Sequence, residues 1–237
     1  MTLSPDEVHI WKVGLTPHEH HLPKLQRLLS LDELTRAQRL KFQEHRHAFI
    51  AARSALRLIM SRYLLIEAQS LVFSQGPQGK PFLKEPFTEP PLLFNLSHTQ
   101  HVALYAFALD REVGIDLEYK HRNISYQSLI ERICSEKEKA HIMSHASSDQ
   151  KQVFLACWTR KEAYLKATGK GLSFPLQAIT VSLPPTTPTA LLEVAEDTLE
   201  PLRWTMHEIQ VDLDHVAALV VSGKSWNPVY WSWSWTI

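Results

Sequence analysis

The run WTRKEAYLKATGKGL, residues 158–172, constrains the fold of this chain more than any other segment. It predicts the end of a long helix, because the Gly-Lys-Gly turn that closes it supplies backbone conformations that other residues rarely adopt. Glu162 and Lys166 are four residues apart, so their side chains share one helix face. The run therefore predicts a helix that presents a carboxylate and an ammonium beside a turn where backbone can approach a ligand closely.

A second pair of acidic residues lies upstream, in the segment VGIDLEY. Val113, Ile115 and Leu117 alternate as the buried face of a strand, so Asp116 and Glu118 project from the opposite face. Taken alone, each of these two patterns is most often a solvated surface feature. Taken together, they offer three carboxylates and one lysine, a set suited to a hard cation and a phosphate.

The order of elements repeats in the two halves of the chain. Apolar residues at helical spacing predict a long helix over residues 47–65, and another over 150–168. Each is followed by a Gly-Lys turn and by short extended segments, of which HVALYAFA and HVAALVVS are similar in sequence. We therefore expect an α+β fold with two similar halves, residues 1–112 and 113–237, each a long helix with an antiparallel sheet.

Further extended segments are predicted from composition and from the glycines and prolines between them. The predicted strands begin near Leu71, Lys80, Leu92, His101, Ile179, Leu202 and His215. The segment WSWSW, residues 231–235, alternates with period two and predicts a terminal strand whose aromatic face packs on the domain.

Composition narrows the possible classes of protein. The chain has 237 residues, of which 44% are hydrophobic, so we expect a globular protein with a sizeable core. The formal net charge of zero argues against a general nucleic-acid binder. Residues 24–62 nevertheless carry nine Lys or Arg against three Asp or Glu. This local excess is typical either of a solvated helix face or of a site for a polyanionic small ligand.

The sequence also gives an expectation for the cellular compartment. The first residues lack the apolar segment of a signal peptide, and no apolar run approaches the length of a membrane span. Cys134 and Cys157 form no C-x-x-C pair, which argues against a disulfide framework or a cysteine zinc site. The histidine-rich segment PHEHH lacks the H-E-x-x-H spacing and predicts a surface loop. We expect a cytoplasmic protein that binds neither membrane nor nucleic acid.

The two charged motifs resemble the signatures of a known enzyme family. GIDLE and WTRKEAYLKATGKGL are similar to the two signature motifs of the 4′-phosphopantetheinyl transferases, in their longer, surfactin-synthetase-activating (Sfp) type. GPQGKPFL and FNLSHT resemble the segments of that family that meet coenzyme A. The resemblance runs from about residue 36 to residue 172. It implies a monomeric pseudo-dimer of two α+β halves, with the active site in the cleft between them.

The resemblance also implies roles for particular residues. Asp116, Glu118 and Glu162 match the positions that hold Mg²⁺, for which Mn²⁺ is an alternative. Lys166 matches a residue that lies against the pyrophosphate of coenzyme A and assists catalysis. Glu162 is also the nearest candidate for the base that accepts the proton of the attacking hydroxyl. A water molecule held by the cation is the other candidate, and the sequence does not choose between them.

Coenzyme A and a carrier protein are the implied substrates. Arg46, Lys80, Ser97 and His98 match family positions that hold the nucleotide and its 3′-phosphate, and Arg39 is a weaker addition. The implied acceptor is a serine of an apo acyl or peptidyl carrier protein, which would receive phosphopantetheine while 3′,5′-ADP leaves. The segment after Tyr119 mixes basic residues such as Arg122 with apolar ones, which favours either docking of an acidic helix or an ordinary core-packed helix.

Two other functions are compatible with the same residues. One is a metal-dependent enzyme that hydrolyses nucleotides or pyrophosphates without a carrier protein. The other is a catalytically silent module that only binds carrier proteins. The presence of all the acidic residues and the lysine argues against the silent module.

Overall fold

The structure, a computed structural model, describes residues 1–85, 87–171, 173–186 and 188–235. Leu172, the last residue of the second signature motif, lies outside the described residues. Helices and mainly antiparallel sheets alternate along the chain, which confirms the predicted α+β class.

Seven α-helices and eleven strands lie within the described residues. The helices are α1 (Leu22–Gln26), α2 (Leu31–Gln38), α3 (Gln43–Leu64), α4 (Tyr126–Ile133), α5 (Glu136–Met143), α6 (Ser147–Thr168) and α7 (Glu200–Arg203). The strands are β1 (Glu7–Gly14), β2 (Phe73–Gln75), β3 (Pro81–Leu83), β4 (Leu92–Thr99), β5 (Val102–Leu109), β6 (Val113–Tyr119), β7 (Ile179–Val181), β8 (Leu191–Val194), β9 (Trp204–Glu208), β10 (His215–Ser222) and β11 (Asn227–Trp233).

The two long helices are those that the apolar periodicity predicts. Both α3 and α6 have 22 residues, and each begins three or four residues before the predicted start. Leu65 ends α3 in the left-handed conformation, with φ of 56°, and Gly169 ends α6 with φ of 69°. Glycine has no Cβ to strain in this region, so the Gly-Lys-Gly turn closes α6 at little conformational cost.

The first sheet contains strands from both ends of the chain. Its order is β11-β1-β5-β4, in which β11 is parallel to β1 and the other pairs are antiparallel. Strand β1 was not among the predicted strands. The aromatic face of β11 packs on the domain as predicted, since Trp231 stacks on Trp11 with ring centroids 5.4 Å apart.

The second sheet carries the first signature motif on its edge strand. Its order is β6-β10-β9, all antiparallel, and α6 packs across it. Gly114 lies where β6 meets α6, and a Cβ there would be 2.1 Å from the carbonyl oxygen of Ala163 and 2.3 Å from the amide nitrogen of Ala167. A glycine at this position therefore allows the backbones of the strand and the helix to touch.

Side chains join the two sheets where β4 meets β6. The Oδ1 of Asn95 accepts a hydrogen bond from the amide of Ile115 at 3.0 Å, and the Oγ of Ser97 accepts one from the amide of Leu117 at 3.3 Å. A buried apolar cluster continues the contact between the halves. It contains Val8, Ile10, Leu104, Ala106, Ala108, Val113, Ile115, Leu117, Ile209, Ala217, Leu219, Val221 and Trp226.

The two cysteines are closer than the sequence indicates. Both thiols are buried and unbridged, with their sulfur atoms 3.8 Å apart, and Glu138 lies beside them. The Glu138 carboxylate already accepts hydrogen bonds from the amides of Ser135 and Val181 and pairs with Lys161 at 2.6 Å. We therefore interpret this group as a polar element of the core and not as a metal site. Among the described residues, no helix is both long and apolar enough to cross a bilayer.

Candidate active site

The acidic face of β6 is turned toward α6. Gly114, Asp116 and Glu118 alternate on this face, and the helix covers it. Asp116 is 5% exposed and Glu118 is 9% exposed. Carboxylates this deeply buried need partners, because desolvation penalises the ionised form. Taken alone, the sequence of β6 is compatible with a solvated surface. Because α6 packs against this strand, its acidic side chains form one wall of a cleft.

Lys166 supplies the partner of Asp116. Its Nζ lies 2.7 Å from Oδ1 of Asp116 and also donates to the Oγ of Ser97 at 3.1 Å and to the carbonyl of Ile115 at 3.3 Å. Ser97 in turn donates to Oδ1 of Asp116 at 3.0 Å. The network therefore connects the first half of the chain, through Ser97, with both signature motifs.

Glu162 has no such partner. Its Oε1 is buried without a hydrogen bond among the described residues. The pKa of Glu162 is raised to about 7: burial is the largest cause, the negative charges of Asp116 and Glu118 also raise it, and the positive charge of Lys166 lowers it. The pKa identifies Glu162 as the carboxylate of the cluster whose charge is least compensated.

Glu118 is paired with a residue at the rim of the site. The Nη1 of Arg122 donates to its Oε2 at 2.5 Å. Burial raises the pKa of Glu118, the hydrogen bond from Arg122 lowers it, and the charge of Asp116 raises it again. Arg122 and Lys166 thus each hold one strand carboxylate, and Glu162 is left without a cation of its own.

The donor set suits a hard divalent cation. Oδ2 of Asp116 and Oε1 of Glu162 are buried oxygens without partners among the described residues, which is the state expected of ligands awaiting a metal ion. The three described carboxylates do not bring one oxygen each to within 4.8 Å of one another. Their side chains must therefore rotate to enclose one ion, and the bonds to Lys166 and Arg122 keep them apart.

Most of the predicted site residues line one large cavity. Its volume is about 1180 Å³, and its walls come from both halves of the chain. The predicted site residues on its walls are Lys80, Ser97, His98, Asp116, Glu118, Glu162 and Lys166. A ligand in this cavity can contact the acidic cluster and the polar end of β4 at the same time.

Arg46 and the weaker candidate Arg39 do not line this cavity, and Arg39 lines a neighbouring one. Arg46 lies at the start of α3. It lines a separate cavity with Pro23, Gln26 and Ile50. Its Nη2 donates to the carbonyl of Leu40, and its Nε has no partner among the described residues. The neighbouring His45 lines the large cavity instead, since adjacent residues on a helix point about 100° apart.

Lys80 links the two halves at the edge of the cavity. Its Nζ donates to Glu112 at 2.7 Å and to the carbonyl of Ala167 at 2.9 Å. It also borders a second, mainly apolar cavity of about 730 Å³ that contains Phe82 and Trp204. The ammonium of Lys80 is therefore positioned between a polar and an apolar compartment.

His98 lies exposed on the wall of the large cavity. Partial desolvation lowers the pKa of its imidazole, and the positive charges of Lys166 and Arg36 lower it further. Arg36 and Arg53 line the same wall, although neither was among the predicted site residues. The excess of basic residues in positions 24–62 was the available signal for them. It does not distinguish these two from Arg57, which is buried away from the cavity, although Arg53 and Arg57 both pair with Glu33.

Comparisons with known proteins show the family of this chain. Residues 112–220 match a family model described as the 4′-phosphopantetheinyl transferase superfamily, and residues 14–108 match one described as 4′-phosphopantetheinyl transferase, N-terminal. The chain is 41% identical over 231 residues to the 4′-phosphopantetheinyl transferase HetI of Nostoc sp., covering 98% of this chain and 94% of that protein.

Two further relatives cover less of the chain. A putative 4′-phosphopantetheinyl transferase of Synechocystis sp. is 34% identical over 71% of this chain and 68% of its own length. The 4′-phosphopantetheinyl transferase Sfp of Bacillus subtilis is 28% identical over 65% of this chain and 66% of its own length.

The family models and the relatives define the class of protein, an enzyme that transfers a phosphate-containing group. Within that class, the chain belongs to the 4′-phosphopantetheinyl transferase superfamily, in its Sfp-like branch. Enzymes of this family transfer phosphopantetheine from coenzyme A to carrier proteins. The resemblance of the two signature motifs is thereby confirmed.

Proposed function

We propose that this enzyme transfers the 4′-phosphopantetheine group of coenzyme A to a serine of an apo acyl or peptidyl carrier protein, with Mg²⁺ or Mn²⁺ bound by Asp116, Glu118 and Glu162. The observation that carries this proposal is the acidic cluster, in which two buried carboxylate oxygens lack partners beside Lys166. A divalent cation bound there would supply Lewis-acid stabilisation of charge on the pyrophosphate.

The side chains of the enzyme orient the two substrates. Lys166 binds the pyrophosphate and stabilises the charge of the leaving group, while the hydroxyl of Ser97 accepts a hydrogen bond that holds the ammonium in place. His98 and Lys80 hold the nucleotide end of coenzyme A. The serine oxygen attacks the β-phosphorus, the bond to 3′,5′-ADP breaks, and the serine proton leaves. Glu162, the nearest carboxylate, or a water molecule held by the cation accepts that proton.

The proposal is tested by incubating the enzyme with coenzyme A, Mg²⁺ and an apo carrier protein. We expect the intact mass of the carrier to rise by one phosphopantetheine group and 3′,5′-ADP to appear in equal amount. Breakdown of coenzyme A without a change in carrier mass would instead indicate a hydrolase. Binding of the carrier without either product would indicate a silent module.

A further inference from the structure

The ion pair at the rim of the acidic cluster joins two residues of different exposure. The side chain of Glu118 is 11% exposed, whereas that of Arg122 is 43% exposed. Arg122 lies three residues after the end of β6, where Lys151 of α6 holds its backbone carbonyl at 2.8 Å. Its backbone is therefore fixed, while its guanidinium is half in solvent and can leave Glu118 by side-chain rotation alone.

The ion pair conflicts with the binding of a cation by Glu118. The three carboxylates do not meet at one point, and Arg122 occupies Oε2 of Glu118 at 2.5 Å. A cation that draws Glu118 inward pulls Oε2 away from Arg122. The change is feasible because the cation then compensates the buried carboxylate, while the guanidinium, whose side chain is 43% exposed, moves into water.

We propose that Arg122 is a metal-sensitive latch: it binds Glu118 in the metal-free enzyme, and when a divalent cation takes Glu118 it swings out to pair with an acidic residue of the carrier protein. The inference rests on the proposed function. It assigns Arg122 as a positioning residue that makes carrier docking depend on an occupied metal site.

The charge of the rim favours an acidic partner. Lys120, His121 and Arg122 follow one another directly after β6. Lys120 is bound to the carbonyl of Leu213, and His121 to Asp214, so both are already engaged away from the cavity. Arg122 also lines the large cavity, so its released guanidinium stays beside the site that the acceptor serine must reach.

The first test measures metal binding instead of activity. Mn²⁺ is titrated into wild type and Arg122→Ala with saturating coenzyme A, and free Mn²⁺ is followed by electron paramagnetic resonance. We expect Arg122→Ala to bind Mn²⁺ about two- to five-fold more tightly, because the ion need not break the ion pair. Arg122→Lys, which can still pair with Glu118, should remain near wild type.

Lys120→Ala is the matched control for charge. It removes one positive charge two residues away along the chain but leaves the pair between Arg122 and Glu118 intact. If Lys120→Ala tightens Mn²⁺ binding as much as Arg122→Ala does, the effect is general electrostatics and the latch is wrong. Unchanged or weaker Mn²⁺ binding by Arg122→Ala contradicts it as well.

The second test measures carrier binding. The probe is an apo acyl carrier protein whose acceptor serine is replaced by alanine, labelled for fluorescence anisotropy, so that it binds without reacting. Mg²⁺ should tighten its binding to the coenzyme A complex of wild type by a few-fold, and this gain should disappear in Arg122→Ala. An equal gain in both enzymes overturns the latch. If wild type binds neither Mn²⁺ nor the carrier, the proposed function itself fails, which is a different result.

Discussion

At the scale of single residues, the site is governed by an excess of negative charge. Two buried carboxylates and one half-buried carboxylate line the same cavity, and only Asp116 and Glu118 have ion-pair partners among the described residues, Lys166 and Arg122, so one carboxylate lacks a paired cation. The unpaired buried oxygen and the raised pKa both identify that carboxylate as Glu162. A bound divalent cation would remove the imbalance.

The first prediction concerns stability without metal. The pKa of Glu162 rises from its ordinary value of 4.5 to about 7 on folding. Between these pH values the folded chain binds a proton that the unfolded chain does not, so the free energy of unfolding falls as pH rises through this window. Glu162→Gln removes this loss of stability at high pH, because a glutamine side chain carries no charge. In chelator-treated buffer we expect the variant to be more stable than wild type by about 1–3 kcal/mol at pH 8 and nearly equal at pH 5.

Urea unfolding at the two pH values measures this difference. Glu136→Gln is the control, because the side chain of Glu136 is 90% exposed on α5. An equal stability difference at pH 5 and pH 8 would show that the carboxylate of Glu162 does not carry the raised pKa.

The second prediction concerns the nucleotide. An anionic phosphate beside His98 favours its protonated form, so the contribution of this residue to binding should be larger at pH 6 than at pH 8. We expect His98→Gln to weaken coenzyme A binding at pH 6 by about 1.5–3 kcal/mol, as for hydrogen bonds to charged groups. The loss should be smaller with 3′-dephospho-coenzyme A.

Calorimetric titration of both ligands checks the assignment of His98. Arg46→Ala is the comparison variant, since Arg46 lies outside the cavity and we expect no loss of affinity from it. Equal losses with the two ligands would mean that His98 does not contact the 3′-phosphate. A specific loss in Arg46→Ala would restore that residue to the nucleotide site.

The sequence predicted the positions of some of these residues better than those of others. The carboxylates and Lys166 are held at fixed spacing by one strand and one helix, so local periodicity suffices to place them together. Arg46 and Arg36 depend on the rotation of α3 and the position of α2, which tertiary packing sets. The pairing of Arg122 with Glu118 also lay outside the sequence argument, because it joins a strand to the loop after it.

At the scale of elements, the contact between β6 and α6 sets the distances within the site. Gly114 is the residue that permits this contact. The third prediction is that Gly114→Ala lowers the free energy of unfolding by about 1–3 kcal/mol or more, as an overpacked core does. Since the helix must retreat from the strand, we also expect weaker Mn²⁺ binding.

Gly14→Ala is the matched control for this substitution. An added Cβ at Gly14, the last residue of β1, meets no atom within 4 Å. Urea unfolding of both variants should show a loss for Gly114→Ala alone. Equal stabilities would mean that the strand and the helix separate without cost, and that the glycine is not what positions them.

Local patterns predicted the long helices and most strands, whereas β1 and β8 were missed. The strands that pair with β1, namely β5 and β11, lie about 100 and 220 residues away along the chain. Such pairing is decided by non-local contacts, which a short window of sequence does not contain.

At the scale of the whole molecule, the two halves form one continuous body. Hydrogen bonds between β4 and β6 and the cluster between the sheets join them, and β11 returns from the second half to the sheet of the first. The division between residues 112 and 113 therefore stays a prediction, drawn from the repeated order of elements in the sequence. The chain also returns across this division, because β11 lies in the sheet of the first half.

The fourth prediction is that the enzyme is a monomer. Residues from both halves of one chain line the cavity, so no second copy of the chain is needed to complete the site. Light scattering should give a mass near 27.2 kDa that does not depend on concentration. A stable trimer would contradict the view that the two halves replace separate subunits.

The central claim is that the acidic cluster binds the cation on which phosphopantetheine transfer depends. The most direct measurement is the rate at which an apo carrier protein gains phosphopantetheine with wild type and with Asp116→Asn, at saturating coenzyme A and Mg²⁺. The substitution preserves the shape of the side chain and removes its charge. We predict a loss of about 10²–10³ in rate, the size typical for an electrostatic stabiliser, with wild type equally inactive in chelator. Transfer by Asp116→Asn at a rate near wild type would contradict the account.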